Sequence, residues 1–267
     1  MHAHPMLTTA IKAARRAGNL IVRASRDINA LKIEQKSSND FVSEVDRAAE
    51  ATIIETILSA YPSHAILAEE GGAQAGAADA EYTWIIDPLD GTTNFLHGFP
   101  HYAVSIALQH RGITTHAVVY DPNRNDLFVA TRGSGAYLND RRIRVSQKKQ
   151  LSEALLTTGL PYRDHSFADA YFGMLRSFTE KSQGVRRPGA ASLDLAYLAM
   201  GAFDGFWEFG LAQWDIAAGV LLVQEAGGLV SDFAGDENFM LSGNIVAGTP
   251  RVFGQMLPVI AAHLPAA

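Results

Sequence analysis

The chain has 267 residues, of which 48% are hydrophobic and 19% charged, and its formal net charge is -6. That length holds one or two domains, and the composition supplies a large apolar core. The negative charge excludes a general attraction to nucleic acid or anionic membrane, the lack of cysteine excludes disulfides, thiolate metal sites and cysteine nucleophiles, and no apolar run reaches the roughly 18 residues that span a bilayer.

The N-terminus has no acid before Asp27 and carries Lys12, Arg15, Arg16, Arg23 and Arg26, as a transit peptide would. Leu7, Ile11, Ala14, Leu20 and Ile21 recur at helical spacing, however, which predicts an ordinary amphipathic first helix over 6–27. The absence of cysteine fits a reducing compartment, and a cytoplasmic protein is expected. A second helix is predicted over 44–60, with Ser43 and Asp46 at its start and Tyr61-Pro62 closing it. Ile66-Leu67-Ala68 is a short apolar run ending in Glu69-Glu70, and 71–80 reads as a flexible Gly/Ala-rich loop. Trp84-Ile85-Ile86 reads as a buried strand that stops at Asp87-Pro88. Val104–Leu108, Ala117–Tyr120 and Leu127–Ala130 read as strands of an antiparallel sheet, separated by turn signals such as Asp121-Pro122-Asn123.

The character changes after residue 141. Arg141, Arg142, Arg144, Lys148 and Lys149 form a basic connector. Strands are predicted at 154–158, 184–187, 204–209 and 228–232, alternating with helices at 168–181, 190–201, 215–226 and 250–263. The alternation indicates an α/β protein of layered sheets and helices, in two parts (1–145 and 146–267).

Chemistry concentrates at Asp87-Pro88-Leu89-Asp90-Gly91-Thr92-Thr93. Three apolar residues precede it, so two carboxylates stand at the end of a buried strand, where active sites are favoured. Pro88 fixes φ and helps turn both acids, with the Leu89 carbonyl, toward one point. Oxygen-only donors suit Mg²⁺ or Mn²⁺. Gly91 permits close approach of a ligand, and the amides of Gly91, Thr92 and Thr93 can form an anion-binding turn or helix start. The same residues also suit a tight Asx-type turn. Glu69-Glu70 is a second acidic pair. Asp215, in Trp214-Asp215-Ile216-Ala217-Ala218-Gly219, is a third acid and also suits a helix cap. Two carboxylates about 4 Å apart repel by roughly 4 kcal/mol at an effective dielectric near 20, so gathering these acids calls for divalent cations.

Competing chemistries lack their motifs. No Gly-x4-Gly-Lys-Ser/Thr, Gly-x-Ser-x-Gly or His-Glu-x-x-His occurs. A phosphoaspartate phosphatase of the haloacid dehalogenase type needs Asp-x-Asp, whereas Asp87 and Asp90 are three apart with Pro88 between. That offset favours an activated water over a covalent intermediate.

The segment from Trp84 to Phe95 resembles the first signature of the inositol monophosphatase family, and Trp214–Gly219 resembles the second. Asp40–Asp46 and Ala68-Glu69-Glu70 fit in the expected order, and the likeness runs from about residue 7 to 262. The resemblance implies an αβαβα sandwich and Mg²⁺-dependent, lithium-sensitive hydrolysis of phosphomonoesters, with Mn²⁺ as a substitute. It implies one metal on Glu69, Asp87 and the Leu89 carbonyl, a second on Asp87, Asp90 and Asp215, and a weaker third near Glu69. Thr92 and Glu69 would orient and activate water, and Asp46 would bond Thr92. The Gly91 and Thr92 amides would hold phosphate, with Lys36 adding charge nearby. Gly189, Ala190, Ala191 and Asp215 would line the substrate side, and Glu208 would accept bonds from sugar or inositol hydroxyls. Ser43 stands where the family often has Thr, and Ala190 where it often has Thr or Ser. The implied substrate is myo-inositol monophosphate or a related sugar or polyol phosphate. Relatives acting on histidinol phosphate, fructose 1,6-bisphosphate or 3'-phosphoadenosine 5'-phosphate set the alternatives. A homodimer is implied too, as is a second reading, a regulatory protein binding the transcription machinery through 141–149 and Arg186-Arg187.

Overall fold

The computed structural model describes residues 4–30, 33–37, 40–74, 80–161 and 164–264. Helix α1 (Pro5–Ala24) ends three residues before the predicted limit and passes into a 3-10 turn, Ser25–Ala30. Strands β1 (Ile33–Ser37) and β2 (Asp40–Ser43) form an antiparallel pair that leads into α2 (Glu44–Ala60). Then come β3 (Ala65–Ala68), β4 (Gly72–Gln74), β5 (Tyr82–Asp90), α3 (Thr92–Leu96), β6 (Ala103–His110), β7 (Ile113–Asp121), β8 (Asp126–Thr131), β9 (Gly135–Leu138) and β10 (Arg141–Ile143). The second half contains β11 (Leu155–Thr158), α4 (Ala168–Lys181), β12 (Gly184–Arg186), α5 (Ala191–Ala199), β13 (Gly205–Glu208), α6 (Gln213–Glu225), β14 (Leu229–Ser231), α7 (Phe239–Ser242), β15 (Ile245–Gly248) and α8 (Pro250–Ala261).

An eight-stranded sheet has the order β10-β9-β8-β7-β6-β5-β3-β4, and a five-stranded sheet has the order β12-β11-β13-β15-β14. Side-chain alternation along each strand stacks them into layers. Trp84 and Ile86 of β5, with Val104, Ile106 and Leu108 of β6, face α1 and α2 through Ala13, Ala17, Ile21, Ile53 and Ile57. Ile85, Ala103 and Ala107 face the opposite way, onto α5 and α6, where they meet Leu193, Leu195, Ile216 and Val220. Phe206, Ile245 and Ala247 of the smaller sheet close the other side of those two helices. Trp207 and Val246 alternate outward, against Tyr171, Met174 and Phe178 of α4 and Val252, Met256 and Ile260 of α8. The result is αβαβα, with α5 buried along its whole length and α6 buried from Ile216 to Val223. Among the described residues, no helix is long and apolar enough to cross a membrane.

Several expectations are corrected. The strand at 84–86 does not stop at Asp87-Pro88 but continues to Asp90 through a bulge: Asp87 pairs with Ser105 and Asp90 with Ala103. A bulge tolerates the missing Pro88 N–H and bends the strand, which re-aims both acids. The basic connector begins as strand β10, paired with β9. The loop predicted at 71–80 contains β4, paired with β3, while 75–79 lie outside the described residues. The helix start read as one option at 91–93 is α3, whereas the strand at 245–248, the pairing of β1 with β2, the short α7 and β9 were not predicted.

Candidate active site

The β5 bulge builds the centre. Asp87 is 1% exposed, and its Oδ1 accepts the Leu89 N–H at 2.9 Å, which folds the chain back over itself. Gly91 follows at φ +90, and a Cβ there would stand 3.0 Å from the His101 carbonyl and 3.3 Å from both Ala190 Cβ and the Gly189 carbonyl. Only glycine both adopts that φ at no cost and permits such packing. Asn94 then reaches the carbonyls of His101, Pro188 and Gly189 with its side-chain amide, at 2.8, 2.9 and 3.2 Å. It thereby ties α3 to the segment carrying Gly189, Ala190 and Ala191.

Asp46 is the third residue of α2. Its Oδ2 accepts from the Ser43 amide and hydroxyl, and its Oδ1 accepts from the Thr92 hydroxyl at 2.8 Å. The Leu89 carbonyl is the other acceptor within reach of that hydroxyl, at 3.0 Å. Thr92 is therefore anchored to a buried carboxylate by a charge-assisted bond. Glu69 continues the β3–β5 pairing through its N–H to the Ile86 carbonyl, while the next residue, Glu70, donates its N–H to Glu50 on α2 at 2.8 Å. Asp215 is the third residue of α6, not the N-cap the sequence suggested, which is Ala212; its carboxylate accepts the Ala212 N–H at 2.7 Å and so still helps to cap the helix from within its first turn.

Glu69, Asp87, Leu89, Asp90, Gly91 and Thr92 share a cavity of about 550 Å³ with Gly189, Ala190, Ala191, Glu208 and Asp215. The structure thus brings together every predicted site residue except two: Asp46, which stands behind Thr92, and Lys36, whose side chain lies outside the described residues. Burial raises the Asp87 carboxyl well above the usual range, and the neighbouring Glu69, Asp90 and Asp215 raise it further. Burial pushes Asp90 up to about 6, against the pull of hydrogen bonds from Ser192. Among the described residues, no three acid or imidazole side chains form a ready ligand cluster; the acids surround the cavity instead of closing on one point. Their chemistry still fits a hard divalent cation. The donors are all oxygens, and added positive charge is what would let these buried carboxylates ionise together.

The family model of the inositol monophosphatases matches residues 2–265. The chain belongs to the inositol monophosphatase family. Membership implies a phosphatase, generally metal-dependent. Nus factor SuhB of Pseudomonas aeruginosa is 55% identical over 264 residues, covering 98% of this chain and 97% of that protein. Nus factor SuhB of Escherichia coli K12 is 54% identical over 254 residues, 95% of each chain. Among solved structures, the extragenic suppressor protein suhB from Bartonella henselae matches with a TM-score of 0.93 at 41% identity, covering 96% of this chain and 98% of that one. The inositol monophosphatase from Anabaena matches at 0.86 and 38%, covering 97% and 96%.

Within this inositol monophosphatase fold, four residues of the site escaped the sequence reading. Asp194 is buried in α5 and borders the cavity; burial, then Glu208, raises its carboxyl well above the usual range. An acid inside the apolar run Leu193–Ala199 was the available signal, because a helix apolar all round is buried. Arg187, read as surface charge, is the one cation of the cavity wall among the described residues. Gly159 leaves the space that the Glu208 carboxylate fills, and Ser192 bonds Asp90. Neither of these last two carries a local sequence signal.

Proposed function

We propose that this chain is a Mg²⁺-dependent phosphomonoesterase that hydrolyses myo-inositol monophosphate, and related sugar or polyol phosphates, with water as the nucleophile. The observation that carries this reading is the meeting of Glu69, Asp87, Asp90 and Asp215 in one cavity beside the Thr92–Asp46 pair. In this reading Glu69, Asp87 and the Leu89 carbonyl would hold one ion, Asp87, Asp90 and Asp215 would hold a second, and a weaker third would bind near Glu69. When bound, such ions acidify water and stabilise charge on the phosphate and leaving oxygens.

The protein's own groups supply direction. The Thr92 hydroxyl donates its proton to Asp46 Oδ1, which leaves its lone pairs to accept from the attacking water. The Glu69 carboxylate takes up the proton of the attacking water as its oxygen bonds to phosphorus, the bond to the polyol oxygen breaks, and that leaving oxygen takes a proton from solvent water to depart as the alcohol. The Gly91 and Thr92 amides donate to phosphate oxygens. Gly189, Ala190 and Ala191 shape the substrate side, and Glu208, with Asp215, accepts from the polyol hydroxyls. Lys36 is assigned an accessory charge near the phosphate.

The test is phosphate release from a panel of phosphomonoesters, with and without Mg²⁺ and Li⁺, with Mn²⁺ as substitute. Metal-dependent, lithium-inhibited turnover of inositol 1-phosphate that vanishes in Asp87→Asn is expected. Faster turnover of histidinol phosphate, fructose 1,6-bisphosphate or 3'-phosphoadenosine 5'-phosphate would overturn the substrate assignment. No metal-dependent release from any phosphomonoester would overturn the whole reading.

A second reading is favoured by the relatives named Nus factor SuhB, which are 53–55% identical over nearly the whole chain. It is a regulatory protein of the cytoplasm that binds the transcription machinery through exposed Arg141, Arg142, Arg144, Lys148, Lys149, Arg186 and Arg187. Asp87→Asn separates the two readings, because it should abolish hydrolysis and spare such binding. A homodimer belongs to both readings and is tested by light scattering.

A further inference from the structure

We infer that Ser192 is the positioning residue for Asp90, fixing that carboxylate in the orientation a divalent cation requires. The inference rests on the reading of Asp90 as a metal ligand and adds a residue that the family resemblance did not assign. Asp90 Oδ2 accepts the Ser192 N–H at 2.8 Å and the Ser192 hydroxyl as well, across 102 residues of chain. Ser192 is completely buried, so its hydroxyl is shielded from bulk solvent. It lies between Ala191 and Leu193, which offer no side-chain acceptor.

The helix end explains why both donors point at Asp90. The N-cap of α5 is Ala190, which has no side chain to accept from the first-turn amides. Asp90 supplies from β5 the acceptor that a capping side chain would normally provide. The Ala191 N–H also bonds the Asp90 carboxylate, so two first-turn amides hold it from α5 and the Ser192 hydroxyl is the side-chain donor among its partners. That hydroxyl adds a donor to the oxygen that already accepts the Ser192 amide, and hydrogen bonds to a carboxylate are stronger than neutral ones. Partners that orient a ligand in this way typically change metal affinity by about 10- to 100-fold when removed.

Ser192→Ala removes the hydroxyl and keeps the amide. Ser192→Cys keeps a weak donor of similar shape. Mg²⁺ binding is measured by titration calorimetry without substrate, alongside the KM for inositol 1-phosphate at saturating Mg²⁺ and the melting temperature in EDTA. Ser192→Ala should weaken Mg²⁺ binding roughly ten-fold, with Ser192→Cys intermediate and the substrate KM within about two-fold of wild type. If Ser192→Ala or, should that variant not fold, Ser192→Cys binds Mg²⁺ as tightly as wild type, the residue serves packing alone and the inference fails. If the wild-type protein itself binds no Mg²⁺, the metal reading of Asp90 fails, and this inference with it.

Discussion

Single residues at the cavity wall set what the site accepts. A Cβ at Gly159 would fall 1.8 Å from Glu208 Oε1, so the carboxylate rests directly on the glycine backbone. Gly159→Ala should swing that flexible carboxylate away without breaking the fold. With Glu208 as the hydroxyl acceptor, the loss of one charged hydrogen bond, about 1.5–3 kcal/mol, predicts a kcat/KM for inositol 1-phosphate lower by about ten-fold or more. An aryl phosphate without vicinal hydroxyls should be turned over as before, and steady-state kinetics on both substrates checks this. Asp194 gives a second prediction. Its folded-state pKa is raised, so its contribution to stability is full below the unfolded value near 3.9 and is lost as pH rises toward the folded value. Asp194→Asn cannot ionise, so its melting temperature in EDTA should gain on wild type as pH climbs from about 4 to 8; a constant difference would refute the assignment. Both residues show the limit of reading chemistry from sequence. Asp87, Asp90, Glu69 and Asp215 were legible because each follows or opens an apolar segment in a dense motif. Gly159 matters only through Glu208, 49 positions away, a contact that no local pattern records.

Elements were legible where they carry a cap, as α2 does, or a long helical period, as α4 and α8 do without a side-chain cap. The predicted helix at 44–60 matches α2, which starts on the reciprocal bonds between Ser43 and Asp46, and those at 168–181 and 250–263 match α4 and α8 to within two residues. Short strands were legible only in part: β12 and β14 were predicted at 184–187 and 228–232, whereas β4 and β10 were not. Each has three residues, too few to alternate, and β10 is Arg141-Arg142-Ile143, whose charges suit the outer edge of the sheet. β5 was cut short because Pro88 reads as a stop, whereas a bulge lets it remain. Helix packing carries the element-scale prediction. A Cβ at Gly219 in α6 would lie 2.6 Å from Leu195 Cβ in α5, an atom fixed by the backbone. Gly219→Ala must therefore pry α6 from α5, the helices that present Asp215 and Ser192. Overpacking of this kind costs about 1–3 kcal/mol, or several degrees of melting temperature. Thermal denaturation should show that drop together with lost phosphatase activity; an unchanged melting temperature would mean that the helices have room to spare.

At the scale of the whole molecule, the five layers leave the buried titratable groups in two opposed sets. The cavity draws Glu69, Asp87, Asp90 and Thr92 from the chain before residue 145 and Glu208 and Asp215 from the chain after it, so it exists only where the two sheets sandwich α5 and α6. Its buried carboxyls have raised pKa values and gain stability as they protonate. Three buried histidines, His64, His101 and His116, work the other way, each lowered by burial. Burial holds both His101 and His116 near pKa 4, with Arg124 adding to the effect at His101 and His4 at His116. Unfolded histidine titrates near 6.5, so between about pH 6.5 and 4 the unfolded chain binds protons that these two native rings refuse. Their contribution is therefore present above pH 6.5 and is lost as pH falls through the folded value, at up to about 1.4 kcal/mol per pH unit for each ring. His116 isolates this effect, because it sits on β7 against Thr131 of β8 and His4 at the start of α1, apart from the acidic cavity. In His116→Asn the side chain keeps a polar group for the Thr131 hydroxyl but cannot take up a proton. Its melting temperature should be at or below wild type at pH 7.5, and the difference should shift in the variant's favour as pH is lowered to 4.5. Parallel melting curves over that range would mean that the folded His116 ring takes up protons as readily as the unfolded one, and would refute the assignment.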